Sequence, residues 1–175
     1  MRNKQAGFSL PEVMIAAFVG AIIVFAAYTV ISSVLLNTQK NNNHMTVNFN
    51  LEQAGYWISQ DVKSADSVTV DDLTSPTILV VSWMVPDFEL DPVYYTVTYS
   101  VVNSGGIDKL QRLYESSSGV SQLSYVADYL YYNTSDPTHS TELTYNNPTL
   151  NLKAVVKLGQ SQETKNFEIT RRPNF

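Results

Sequence analysis

The chain has 175 residues, 44% of them hydrophobic, no cysteine and a net charge of −5. Its length suits one modest domain beside an anchor. Without cysteine there are no disulfides, no thiol nucleophile and no cysteine-bound metal, and an acidic chain repels nucleic-acid phosphates, so no direct nucleic-acid partner is expected.

Met1 to Ala6 is short and polar and carries Arg2 and Lys4. It runs into Gly7-Phe8-Ser9-Leu10-Pro11-Glu12-Val13, and from Val13 to Leu36 no charge appears. At about 1.5 Å per residue such a helix exceeds the roughly 30 Å of a hydrocarbon core. A secretory signal peptide is cut after its apolar core. Here the cuttable junction lies before it, so the apolar segment is expected to survive processing. Arg2 and Lys4 stay on the cytoplasmic side under the positive-inside bias, which places everything after Leu36 outside the cytoplasm.

Ala16, Ala17, Gly20, Ala21, Ala26 and Ala27 are small, which either lets helix backbones approach closely or reflects ordinary anchor composition. Glu12 is a carboxylate at the start of an apolar helix, where charge costs free energy. A helix N-terminus and a nearby free amino group would compensate it; a place in the headgroup layer is the other reading. Pro11 suits a first helical turn, where its missing N–H would have no partner.

This basic leader, glycine, phenylalanine, glutamate and immediate apolar helix resemble the class III signal of type IV prepilins and type II secretion pseudopilins. The resemblance implies cleavage after Gly7, methylation of the new amino terminus at Phe8, and a Glu12 that meets the amino terminus of a neighbouring subunit during filament assembly. It also implies partners: prepilin peptidase, other pilin or pseudopilin subunits, an inner-membrane assembly platform, and membrane lipid before assembly. The implied role is structural and non-enzymatic, with no cofactor. Many major pilins carry a helix-breaking proline where this chain has Thr29.

Thr38 to His44 is polar, and a break or fraying is expected near Asn41 to Asn43. Beyond it Val47, Leu51, Ala54, Ile58, Val62 and Ala65 recur at helical spacing and line one face. Asn48, Glu52, Gln53, Ser59, Gln60 and Lys63 fall off that stripe and should face solvent or neighbouring subunits.

The period then changes. Thr77 to Val85, β-branched and bounded by Pro76 and Pro86, reads as a strand. Val93 to Val102 alternates Tyr95, Val97, Tyr99 and Val101 against polar residues, the pattern of a half-buried strand. Asn103-Ser104-Gly105-Gly106 turns it into Lys109 to Glu115. Val120 to Tyr132 reads as a short turn followed by a strand, and Asn133 to Asn147 as irregular. Leu150 to Leu158 alternates, and Asn166 to Arg171 closes a terminal hairpin.

The expected fold is α+β, an antiparallel sheet packed on the Val47 to Ala65 helix face. The expected division is a leader at 1–7, a transmembrane and assembly helix at 8–36, its amphipathic half at 37–66, and a β-domain at 67–175. Leu51-Glu52-Gln53-Ala54, Ile58-Ser59-Gln60-Asp61-Val62 and Asn166-Phe167-Glu168-Ile169-Thr170-Arg171-Arg172 look like the larger minor subunits, the J type of type II secretion and the W type of type IV pili. That likeness implies an outward-facing sheet, with the filament tip as a candidate position. The competing function is a membrane-anchored extracytoplasmic binding or adhesin domain that does not assemble.

Other chemistry is thinly supported. The only histidines, His44 and His139, read as surface polar residues. Asp87, Glu89 and Asp91 alternate like calcium ligands, but Pro92 stands where an EF-hand needs glycine, so they read as a solvated strand end. The clustered tyrosines read as sheet core and cross-strand pairs, with an adhesive surface as the alternative.

Overall fold

The computed structural model describes residues 9–71, 77–86, 91–133 and 135–172. The chain divides into two compact units, Met1–Asn42 and Asn43–Phe175. A single helix, α1 (Leu10–Ser64), is helical throughout, including Asn41, Asn42 and Asn43. The expected break is therefore corrected. Asparagine costs only a few tenths of a kcal/mol per residue in a helix, and neither proline nor glycine adds to it there.

After the helix, the described residues form eight strands in two antiparallel sheets, where the sequence pattern suggested one. The first holds β1 (Ser67–Val70), β2 (Thr77–Val85), β3 (Val93–Ser104), β4 (Ile107–Ser116) and β5 (Ser121–Asp128) in sequential order. The second holds β6 (Glu142–Asn146), β7 (Thr149–Leu158) and β8 (Ser161–Thr170), again in order. β2 keeps the bounds its prolines suggested, and Gly105 and Gly106, with φ of 65° and 79°, make the tight turn between β3 and β4. Two successive positive φ values are what a two-residue hairpin loop of matching twist requires, and glycine adopts them without strain.

β6 corrects the reading of Asn133 to Asn147 as wholly irregular, and β1 lies in a stretch given no element. Both are short, so each offers too few alternations to reveal a period.

The division into two sheets arises where the chain leaves β5. Tyr129, at φ 62°, turns the backbone out of register with β4. Leu130 N–H still donates to Asp108 O at 3.1 Å, but Tyr131 N–H donates to Val155 O at 2.7 Å and Lys157 N–H to Tyr129 O at 2.9 Å. The segment thus lies along β7 beyond Lys153, where pairing with β6 ends.

Within the second unit, Val47, Leu51, Ala54, Ile58, Val62 and Ala65 are all buried, the stripe expected from their spacing. They share one core with Leu79, Val81, Val97, Tyr99 and Leu110 of the first sheet and Leu150, Leu152, Ala154, Val156 and Ile169 of the second. Burial of each such aliphatic side chain contributes about 1.5–3 kcal/mol before entropy is counted. Asn48, Glu52, Gln60 and Lys63 are exposed, whereas Gln53 and Ser59 are half-buried.

Polar and close contacts then fix the helix against both sheets. Asp61 accepts from Arg112 Nε at 2.8 Å and Nη2 at 2.9 Å, and from the Tyr99 hydroxyl. Asn50 donates to Thr46 O at 2.9 Å and accepts the Asp128 N–H at 2.7 Å, tying α1 to the end of β5. On the β8 side, Glu163 meets His44 at 3.2 Å, Lys165 pairs with Glu52, and the Phe167 ring packs on Gly55, where a Cβ would lie 2.3 Å from it.

Candidate assembly interface

The sequence singles out Gly7, Phe8 and Glu12. Gly7 and Phe8 lie outside the described residues; Glu12 sits in the first turn of α1. Its carboxylate accepts from Ser9 N–H at 3.3 Å and Ser9 Oγ at 3.2 Å, while Ser9 O accepts the N–H groups of Glu12 and Val13. Ser9 and Glu12 stand at the spacing of a capping box, and its glutamate half is made: the carboxylate satisfies the Ser9 N–H, which has no partner inside the helix, while Ser9 Oγ donates to the same carboxylate. That role was missed in the sequence, although Ser9-Leu10-Pro11-Glu12 spells it. Pro11 falls inside the same turn, where no helical acceptor awaits an N–H. Glu12 therefore has a local use as a cap, and its charge lies at the positive end of the helix dipole.

Downstream, every large apolar side chain from Leu10 to Leu36 is exposed, including Phe18, Ile22, Phe25, Ile31 and Leu35. They point all round the helix. A helix apolar on every side cannot be stable in water alone; such a pattern belongs to a membrane span or to a rod enclosed by other helices. By length and composition α1 is able to cross a membrane.

Two hydroxyls in or beside the segment are internally satisfied. Thr29 Oγ1 donates to Ala26 O at 2.8 Å and Thr38 Oγ1 to Val34 O at 2.8 Å. This back-bonding lets threonine sit in an apolar helix without an unpaired donor. The helix continues through Thr29, and a methyl group added at Gly20 would meet nothing within 4 Å.

The other candidate chemistries do not converge. His44 lies half-buried against Glu163 and His139 stands exposed beside Asp136 at 3.1 Å, on separate elements. Asp87 and Glu89 lie outside the described residues, and Asp91 is exposed. Among the described residues no group of three His, Cys, Asp or Glu is placed to hold a metal ion. Of the tyrosines, Tyr99 is wholly buried, Tyr95 and Tyr114 stack at 5.7 Å, and Tyr95 stacks on Trp83 at 5.7 Å, while Tyr94 and Tyr125 are exposed.

Comparison with known proteins agrees with the N-terminal geometry. No curated protein and no solved structure matches the chain significantly. Residues 2–28, however, match the prokaryotic N-terminal methylation motif. The chain therefore carries, over its leader and the exposed apolar start of α1, the type IV pilin-like signal that marks substrates of prepilin peptidase.

Proposed function

We propose that the chain is a minor pilin or pseudopilin, a structural subunit of a type IV pilus or a type II secretion-like filament. In this reading the leader at 1–7 is cut after Gly7 and Phe8 is methylated. Residues 8–36 hold the subunit in the cytoplasmic membrane, 37–66 continue as the amphipathic half of the helix, and the domain at 67–175 stands outside the cytoplasm. Other pilin subunits and an inner-membrane assembly platform then draw it into the filament.

One observation carries this reading: the methylation motif covers the start of a helix whose large apolar side chains from Leu10 to Leu36 are all exposed. Lipid covers such a surface first, and sister helices cover it in a filament, where close packing and satisfied polar groups replace lipid contacts. Glu12 has a defined part in that exchange. Its carboxylate stands beside Ser9 N–H, one residue from the amino group that cleavage would create at Phe8. A neighbouring subunit's amino group in the same layer gives the carboxylate a charged partner in place of water or headgroups. Minor rank and a position at the tip rest only on the likeness of the Leu51 to Val62 and Asn166 to Arg172 segments to J-type and W-type subunits.

The test is incorporation. With its co-subunits expressed, the wild-type chain should appear in sheared filaments and Glu12→Ala should remain in the membrane fraction. A wild-type chain that stays in the membrane under those conditions would favour an anchored binding domain that does not assemble.

A further inference from the structure

Among the described residues each sheet has two outer strands, and three of these four edges carry features that discourage another strand from adding. β1 has only four residues. β6 has five and begins with Glu142. β8 is long, but Glu163, Lys165 and Glu168 punctuate it, and the first two turn toward α1 to pair with His44 and Glu52. Short length, edge charges and inward-pointing charges are the usual protections of a sheet edge.

Over Ser121 to Tyr125 β5 has none of them; a bulge at Val126 and the charge of Asp128 come only at its far end. It is eight residues long, and no charge or proline stands between Glu115 and Asp128. Among the described residues its strand pairing is with β4 alone. Val120 is 54% exposed, Leu123 55% and Tyr125 54%. Antiparallel pairs alternate between hydrogen-bonded and non-hydrogen-bonded. Ser116 N–H donates to Val120 O at 2.8 Å, so the next pair, Glu115 with Ser121, and then Leu113 with Leu123, are of the non-hydrogen-bonded kind. Ser121 and Leu123 consequently direct their N–H and C=O groups away from β4, toward the open side.

We infer that β5 is a docking edge for an extended strand contributed by another protein, one uncharged over the residues that pair. The unpaired backbone groups select an extended chain, because only a strand satisfies a row of donors and acceptors at this spacing. The uncharged stretch selects a strand without charge, since a charge laid against Leu123 would lose water without gaining a partner. Leu123 and Tyr125 supply apolar contacts at alternate positions, with Lys109 Nζ 5.3 Å from the Tyr125 ring centre at the far end. This inference stands apart from the N-terminal reading and holds whether or not the chain enters a filament.

The chain has no cysteine, so single cysteines can report on each edge cleanly. The full chain in nanodiscs, bearing Ser121→Cys on β5 or Thr164→Cys on β8, is mixed under mild oxidant with a capped peptide of alternating Val and Thr with one central Cys. Trapping at Ser121→Cys should be at least about tenfold faster than at Thr164→Cys, a difference of about 1.4 kcal/mol in edge preference. Adding Leu123→Pro, which removes the outward N–H, should bring the rate down to the β8 level. Leu123→Lys should lower it as well, and decides the matter if the proline variant fails to fold. Hydrogen exchange at Leu123 in the chain alone should be fast. Equal trapping on both edges, trapping unchanged by either Leu123 variant, or a Leu123 amide already protected by the chain's own residues would each overturn the inference.

Discussion

Asp61 and Arg112 meet side-on in the second unit, Nε to Oδ2 at 2.8 Å and Nη2 to Oδ1 at 2.9 Å, with the Tyr99 hydroxyl donating to Oδ2. The carboxylate side chain is 7% exposed and the guanidinium 12%. Arg112 also lies 5.2 Å from the Trp57 ring centre and 5.5 Å from that of Tyr114. A planar, forked cation thus joins a helix carboxylate to the inner face of the first sheet, in a geometry that a lysine cannot reproduce.

Arg112→Ala should therefore leave a buried carboxylate without its charged partner and destabilise the domain by about 3–5 kcal/mol. Arg112→Lys should recover only part of this, because it loses the second hydrogen bond and the stacking on Trp57. Chemical denaturation of the two variants against wild type measures both. A loss under about 1 kcal/mol for Arg112→Ala, the range of exposed ion pairs, would contradict the buried reading.

Tyr99 links the stability of the domain to alkaline pH. Burial holds its phenol well above the ordinary value near 10, and the Asp61 carboxylate pushes the same way while Arg112 opposes it. A folded-state pKa above the unfolded one means that the contribution is complete below about pH 10 and lost as pH rises further, at up to about 1.4 kcal/mol per pH unit. Tyr99→Phe should be less stable at neutral pH through the lost hydrogen bond to Asp61, and its stability should fall less steeply above pH 10. Burial also raises Tyr114 and Tyr132. Both remain in each chain, so the difference between the two pH curves isolates Tyr99.

Gly55 is fixed by space. A Cβ there would lie 2.3 Å from Phe167 Cε1 and Cζ. Gly55→Ala gains about 1 kcal/mol of helix propensity, yet overpacking costs about 1–3 kcal/mol, and the net should be destabilising. In the Gly55→Ala, Phe167→Ala double variant the added methyl occupies space the ring has vacated. The double variant should then be more stable than the sum of the single effects indicates. Additive effects would mean that the ring simply swings aside.

At the helix start, two substitutions separate the Ser9 hydroxyl from the Glu12 charge. Ser9→Ala removes the hydroxyl that donates to the Glu12 carboxylate but keeps the Ser9 N–H bond, and should cost at most about 1 kcal/mol of local helix stability, read as a small rise in amide exchange in the first turn, with filament entry retained. Glu12→Gln keeps an oxygen for Ser9 N–H but lacks the charge, and should block filament entry with little change in exchange. The reverse pattern would assign Glu12 to capping alone.

The sequence revealed the parts that repeat. Val47 to Ala65 and Val93 to Val102 carry many turns of one period, so their buried faces could be read directly. Asp61 was hidden because nothing nearby marks it as buried; its partners Tyr99 and Arg112 lie on strands far along the chain. Asn50 was hidden for the same reason, with its acceptor serving Asp128. Tyr129 gave no warning of the backbone turn that parts the two sheets, since a tyrosine at positive φ is decided by surrounding structure and not by local preference. Of the N-terminal site, the motif itself was legible, but the Ser9 to Glu12 contact was not, because the same carboxylate also suits a charged partner and the residue types alone do not separate the two.

The mature N-terminus is the most direct measurement. Intact-mass and N-terminal peptide analysis of the chain from cells with active prepilin peptidase should find Met1 to Gly7 gone and one methyl group on the amino nitrogen of Phe8, with the apolar helix retained. A chain that still begins at Met1 in those cells, or one that begins beyond Leu36, would contradict the proposed role.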